Sequence, residues 1–299
     1  MSDPRHFITG TELTDTELGT IIERAVELKS VGPAGPRPLR DRSSALLFEK
    51  PSTRTRVSFQ VGISQLGGHV LLLRSEELQL ARGESVKDTA LVLSRYIDAI
   101  AVRVGEHAVL EELAEHASVP VVNALTPLHH PCQALADLLT LRERFGRTEG
   151  LRVAYVGDGN NVCHSLMLLG ARAGVEVVAA TPAELRPDDA IVADAGDLAR
   201  VVEDPVEAAA GAHALYTDVW VSMGDESDFT PRRELLKPYR LDAGLLARAR
   251  DDAIVMHCLP AHPGEEITAD LLYGERSAVW DQAENRLHAQ KALLEALLG

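Results

Sequence analysis

The chain has 299 residues, with 45 Asp and Glu against 30 Lys and Arg, for a formal net charge of −15. That balance argues against nucleic acid or an anionic membrane as the bulk partner, since both need a basic surface. The 45% of hydrophobic residues is ample for a large core and argues against disorder. In chain order, strands are predicted at 44–48, 69–73, 98–103 and 119–123, then at 152–156, 175–180, 214–217, 253–257 and 278–280. Helical patterns lie between them. In 53–66, Val57 and Val61 share one face, with Phe59, Ile63 and Leu66 close by at helical spacing. Residues 131–145 read as a bridging helix ending at Gly146, and 281–298 as a closing helix. The alternation predicts an α/β fold of two domains, each a parallel sheet flanked by helices. The boundaries fall at 1–145 and 146–283, with the C-terminal helix, 284–299, expected back on the first domain.

The N-terminus, Met-Ser-Asp-Pro-Arg-His, lacks the basic-then-apolar pattern of a signal peptide. The charge-free stretch 117–136 contains Asn123, His129, His130 and three prolines, so no membrane span is expected. Cys132, Cys163 and Cys258 are odd in number and form no CxxC pair, which fits a reducing, cytoplasmic setting without a zinc site. Of the 30 basic residues, 25 are Arg, the side chain whose planar fork matches phosphate and carboxylate. A local group of arginines therefore suits a small anion despite the acidic whole.

In open parallel sheets, ligands bind beyond the carboxyl ends of the strands. The polar clusters fall there. Glu49 to Arg56 follows the first strand, Arg103 ends the third, and His130-Pro131-Cys132-Gln133 lies beyond the fourth. Gly157-Asp158-Gly159-Asn160-Asn161, Asp218 to Gly224 and His257 to Pro260 follow strands of the second group. Ser52, Thr53, Arg54 and Thr55 open a helix, whose first turn offers unpaired N–H groups and a positive dipole end. From spacing alone this is a phosphate or carboxylate site, or else a capped helix with solvated arginines. The Gly-x-Gly loop at 157–159 suggests a dinucleotide fingerprint. Val162 holds the place of its third glycine, however, and Thr181-Pro182 closes the next strand where an acidic residue should hold the ribose. His257 and Cys258 are neighbours on a strand end, so they point apart.

Taken together, these motifs resemble the aspartate/ornithine transcarbamoylase family, and its ornithine-using members in particular. The carrying stretches are Phe48-Glu-Lys-Pro-Ser-Thr-Arg-Thr-Arg56, His130-Pro-Cys-Gln133, Asp218-Val-Trp-Val-Ser-Met-Gly224, His257-Cys-Leu-Pro260 and Asp281-Gln-Ala-Glu-Asn-Arg286, in family order along nearly the whole chain. The resemblance implies transfer of the carbamoyl group from carbamoyl phosphate to the side-chain amine of L-ornithine, without metal or other cofactor. It implies a carbamoyl phosphate-binding domain at 1–145 and an ornithine-binding domain at 146–283. Ser52, Thr53, Arg54, Thr55, Arg103, His130, Gln133, Cys258, Leu259 and Arg286 match carbamoyl phosphate contacts. Gln79 matches a contact made from a neighbouring subunit, which implies a homotrimer. Asn161, Asp218, Ser222 and Met223 match the ornithine side, and Cys258, Arg103 and His130 the catalytic positions.

Some positions depart from the commoner pattern. Pro263 stands where arginine is frequent, Gln60 where glutamate is, and Pro127 and His129 differ in the loop before His130. Cys258-Leu259-Pro260 and Ser222-Met223-Gly224 separate the chain from aspartate-using and putrescine-using members respectively. An NAD-dependent dehydrogenase and a non-catalytic binding module are the readings from other classes.

Overall fold

The computed structural model describes residues 4–49, 52–74, 83–221 and 229–299. They form two compact units, 1–139 with 285–299, and 140–284.

The first unit is built on four strands: β1 (Ser43–Phe48), β2 (His69–Arg74), β3 (Ala99–Arg103) and β4 (Val121–Leu125). Their order is β2-β1-β3-β4 and every pairing is parallel. The crossovers are α2 (Thr53–Gln65), α3 (Val86–Leu93) and α4 (His107–His116), with α1 (Asp15–Val31) ahead of the sheet. β1, β3 and β4 are short apolar runs buried along nearly their whole length, the signature of a sheet covered on both faces. β2 lies at the edge and alternates between exposed and half-buried positions.

The second unit carries β5 (Arg152–Val156), β6 (Glu176–Ala180), β7 (Ala199–Val202), β8 (Ala214–Thr217) and β9 (Ile254–His257). The order is β7-β6-β5-β8-β9, again parallel throughout. The division between units falls within two helices, α5 (Pro131–Phe145) and the last helix. In the second unit, α6 (Asn161–Arg172), α7 (Asp189–Ala195), α8 (Pro205–Ala209), α9 (Phe229–Leu236), α10 (Ala243–Leu246) and α11 (Ala269–Leu272) follow. The chain ends in α12 (Val279–Leu298). Its residues from 285 onward belong to the first unit, where Arg24 pairs with Glu295 at 2.9 Å and Lys29 donates to Asn285 at 2.7 Å. The closing helix packs back on the first unit, as expected.

The bridging helix occupies 131–145 and stops at Gly146, whose φ of 71° suits glycine. Two readings need correction. Residues 278–280 form no strand: Val279 opens α12, and only Ser277 makes an isolated bridge, to Val255. A three-residue apolar run does not distinguish a strand from the start of a helix. Strand β7 was not predicted, because Arg200 interrupts a run of four residues at a sheet edge.

Both sheets reverse direction of growth at one point. In the first this lies between β1 and β3, in the second between β5 and β8. Ligands of open α/β sheets bind at such switch points, outside the carboxyl ends.

The loop after β5 leaves no room for a side chain. A Cβ on Gly159 would lie 2.2 Å from the backbone nitrogen of Pro187, and the Gly159 N–H donates to Leu185 O at 2.8 Å. Gly159→Ala is expected to destabilise the second unit by about 1–3 kcal/mol, the usual overpacking cost. Urea unfolding followed in that unit measures it.

Candidate active site

The first unit assembles a cationic cluster around the β1/β3 switch point. Ser52 is the N-cap of α2, extended in backbone, and its hydroxyl makes no capping bond. Thr53 and Arg54 are exposed on the first turn, while Thr55 is buried. Arg103 ends β3, where the register with β4 slips between Val102 and Arg103. Arg286, buried on α12, donates from one Nη to Thr55 Oγ1 at 2.7 Å and from the other to Gln133 Oε1 at 2.9 Å. Gln133 donates its Nε2 to Asp137 Oδ1 at 2.8 Å. A buried carboxylate one helical turn on thus fixes the amide, and the amide fixes the guanidinium. Spacing had not singled out Asp137, although i,i+4 on a helix is the separation that lets the two meet.

The electrostatics of this cluster are strained in one direction. Burial, then Arg286 and Arg54, push the Arg103 guanidinium down to about 10. It stays charged at neutral pH, but its neighbours oppose that charge. Among the described residues its Nε is buried without a hydrogen-bond partner. Burial, then Arg286 and Arg103, hold His130 well below its ordinary value of 6.5. His130 is therefore a neutral imidazole at pH 7. An arrangement that crowds this much positive charge together favours a multiply charged anion such as a phosphate ester or anhydride.

The second unit places an acid and a thiol at its own switch point. Asp218 follows β8 and Cys258 follows β9. The Cys258 thiol donates to Asp218 Oδ1 at 2.7 Å, and the Val219 N–H donates to the same oxygen at 2.8 Å. Asp218 Oδ2 accepts from Asn160 Nδ2 at 2.8 Å. Asn160 caps α6, taking N–H bonds from Val162 and Cys163 and a bond from Tyr155 Oη at 3.0 Å. Burial and then Asp218 raise the Tyr155 phenol well above its ordinary value, so it remains a donor. The residue of the 157–161 loop that holds Asp218 is Asn160; Asn161, which the resemblance assigns to the ornithine side, is the first residue of α6.

His257 and Cys258 do point apart. His257 Nδ1 accepts from the Leu259 N–H at 2.8 Å, so its proton sits on Nε2, which faces Glu266 Oε1 at 3.1 Å. Gln282 accepts the His257 N–H at 2.8 Å. Leu259 itself sits at φ 60°, in the left-handed region that residues other than glycine seldom adopt. Two groups of ligand-type side chains occur among the described residues: Asp218, His257 and Cys258, and His262, Glu265 and Glu266. Five of these six side chains are tied to one another or to Arg233, through Cys258–Asp218, His257–Glu266 and Arg233–Glu265. Gln79, Ser222 and Met223 lie outside the described residues.

Within the first unit the structure brings together Thr55, Arg103, His130, Gln133 and Arg286, with Ser52, Thr53 and Arg54 on the adjoining helix turn. Within the second it brings together Asp218 and Cys258, with Leu259 and Asn161 next along the chain.

Comparison with known proteins agrees with both halves. Residues 5–143 match the family model "Aspartate/ornithine carbamoyltransferase, carbamoyl-P binding domain". Residues 149–297 match "Aspartate/ornithine carbamoyltransferase, Asp/Orn binding domain". The chain belongs to the aspartate/ornithine carbamoyltransferase family. An ornithine carbamoyltransferase of Methanoculleus marisnigri is 53% identical over 98% of this chain and 97% of its own length. The anabolic ornithine carbamoyltransferase of Pyrococcus furiosus is 48% identical over 99% of this chain and 96% of its own. A solved structure of ornithine carbamoyltransferase from Pyrococcus furiosus superposes with a TM-score of 0.95 at 47% identity, covering 99% of this chain and 98% of that one.

The lowered His130 makes a pH prediction. Its native value lies below the unfolded 6.5, so the unfolded state takes up the proton first as pH falls. The associated stability is full above pH 6.5 and drains as pH drops towards the native value. Urea unfolding between pH 7.5 and 5 is expected to show a steeper loss in the wild type than in His130→Gln. The difference in slope approaches about 1.4 kcal/mol per pH unit for one proton.

Proposed function

We propose that this chain transfers the carbamoyl group of carbamoyl phosphate to the side-chain amine of L-ornithine, giving L-citrulline and phosphate. The observation that carries the choice of substrate is the Asp218 carboxylate, held by Asn160 and Cys258 at the carboxyl end of the second sheet. It attracts an ammonium group and repels the extra carboxylate of aspartate. The names of the family's relatives support the same choice.

Residues 1–145, with the helix 284–299, act as the carbamoyl phosphate-binding domain, and 146–283 as the ornithine-binding domain. Ser52, Thr53, Arg54, Thr55 and Arg286 take the phosphate, using the first-turn N–H groups of α2. Arg103, His130 and Gln133 surround the carbamoyl group. Asn161, Asp218, Ser222 and Met223 hold the amino-acid end of ornithine, and Cys258 and Leu259 lie beside its reacting amine.

The attacking amine has an ordinary pKa near ~10, so the site must take it in neutral form. Its nitrogen bonds to the carbamoyl carbon, the carbonyl oxygen becomes an oxyanion, the C–O bond to phosphate breaks and the nitrogen loses a proton. In this reading Arg103, neutral His130 and Thr55 donate to that oxyanion, each such donor being worth on the order of 10²–10³ in rate. Cys258 with Asp218, or the departing phosphate, accepts the proton.

The setting is the cytoplasm and the pathway is arginine biosynthesis, in line with the relative named anabolic. Among the described residues no helix is long and apolar enough to cross a membrane. The assembly is a homotrimer with Gln79 contributed across the interface. Exposed apolar side chains on α2 (Val57, Val61), β2 (Leu71) and α3 (Leu91, Val92) support a subunit contact on the first unit.

Product formation with ornithine, putrescine, N-acetylornithine and aspartate in parallel tests the substrate. Ornithine is expected to be the one turned over, and turnover of a different amine alone would refute the reading. Shared sites predict complementation. Gln79→Ala and Arg103→Ala enzymes, inactive separately, should regain activity when subunits are mixed, with about one site in four intact in a random cyclic trimer. No recovery in verified hybrids speaks against the shared site.

A further inference from the structure

The Gly157-Asp158-Gly159 loop has an occupation that dinucleotide binding does not explain. Asp158 Oδ2 is ion-paired with an Nη of Arg232, from α9. The Arg232 Nε donates to the backbone carbonyl of Trp220 at 3.1 Å. One guanidinium therefore fastens three segments: the loop after β5, the loop after β8, and α9. The pair is largely shielded, with side chains 11% and 30% exposed for Asp158 and Arg232.

Both fastened loops lead directly to Asp218. Trp220 follows it by two residues. On the other side, the Asn160 N–H donates to Asp158 O at 2.8 Å, and Asn160 Nδ2 donates to Asp218 Oδ2 at 2.8 Å. Asp218 is thus approached along the chain from Trp220 and through space from Asn160, and Arg232 holds the base of each approach. The loop has little slack, because Gly159 is pressed against Pro187.

We propose that Arg232 is a positioning residue for the amine substrate: through Asp158 and Trp220 it sets where Asp218 and Asn161 meet the amino-acid end of ornithine. The inference rests on the ornithine reading of the second unit. It does not involve the first unit, whose cationic cluster contains none of these residues. The fork geometry matters, because two donors of one rigid group meet two acceptors on different loops. A lysine supplies the charge without that geometry.

The test compares Asp158→Asn, Arg232→Gln and Arg232→Lys with the wild type. In the first two, the ornithine KM is expected to rise roughly tenfold to hundredfold, the scale of a displaced positioning contact. The Kd for inorganic phosphate should stay within about twofold, since no phosphate contact is touched. Arg232→Lys should fall between wild type and Arg232→Gln, and the double variant should be no worse than the worse single one. Amide exchange at Val162 and Cys163, which Asn160 caps, should quicken in both non-conservative variants while residues 53–58 are unaffected. An unchanged ornithine KM accompanied only by a lowered Tm would show a merely structural clamp and overturn the proposal. An equal weakening of phosphate binding would overturn it too. Wild-type preference for another amine defeats the ornithine reading instead. The same KM comparison with that amine, and the exchange measurement, which needs no substrate, then decide the clamp separately.

Discussion

Parallel strand pairing is the constraint on which the rest depends. Among the described residues, nine strands in two sheets run parallel, so within each sheet the carboxyl ends all fall on one edge. Each connection must return over a face and leaves its first residues at that edge. Where the order reverses, neighbouring crossovers lie on opposite faces and the edge opens. The residues that the two sheets deliver there are Ser52 to Thr55 and Arg103 in one, and Asn160, Asn161 and Asp218 in the other. The chemistry is sorted by sheet: one edge collects positive charge, the other a carboxylate, a thiol and an amide.

The concentration of charge in the first unit is held by geometry that would otherwise be unfavourable. Arg54, Arg103 and Arg286 oppose one another's charge, as the lowered Arg103 shows. The relay Asp137–Gln133–Arg286–Thr55 offsets this with directed bonds of 2.7–2.9 Å. In this relay the amide of Gln133 stands between the buried Asp137 and the arginine fork. The whole molecule's net charge of −15 is distributed elsewhere. A global acidic field and a local cationic site coexist because screening confines each exposed charge to about 8–10 Å at physiological salt.

Much of this was legible in the sequence because its cause is local. Short apolar runs ending in polar residues mark strands and their carboxyl ends, and Pro51-Ser-Thr followed by an apolar period marks a helix start. The legible elements were those with a strong period, such as the 131–145 helix. What was not legible depends on distance along the chain. Arg232 meets Asp158 across 74 positions and Arg286 meets Thr55 across 231, and no spacing rule connects them. Asn160 takes the extended N-cap backbone of α6 and Asn161 opens the helix; two identical neighbours give no signal of which one caps, because only the strand's end point decides that. β7 was missed for a related reason, its four residues being too few to show a period.

The caps of the helices show where stability gives way to function. Thr14, Ser85, Asn160, Asp188, Asp204 and Asp242 each accept a first-turn N–H through the side chain. Each such bond is typically worth about 1 kcal/mol. Ser52 is a residue of the same type, at the head of a 13-residue helix, and makes none. Thr268 also makes none, but on the single turn of α11, where few N–H groups are at stake. At α2 the unused hydroxyl and the first-turn N–H groups lie on the same edge as Arg103. A side chain that satisfied those donors internally would remove them from any anion. The sequence keeps a good capping residue and the fold declines to cap with it, which is the local inconsistency expected where binding rather than stability sets the conformation.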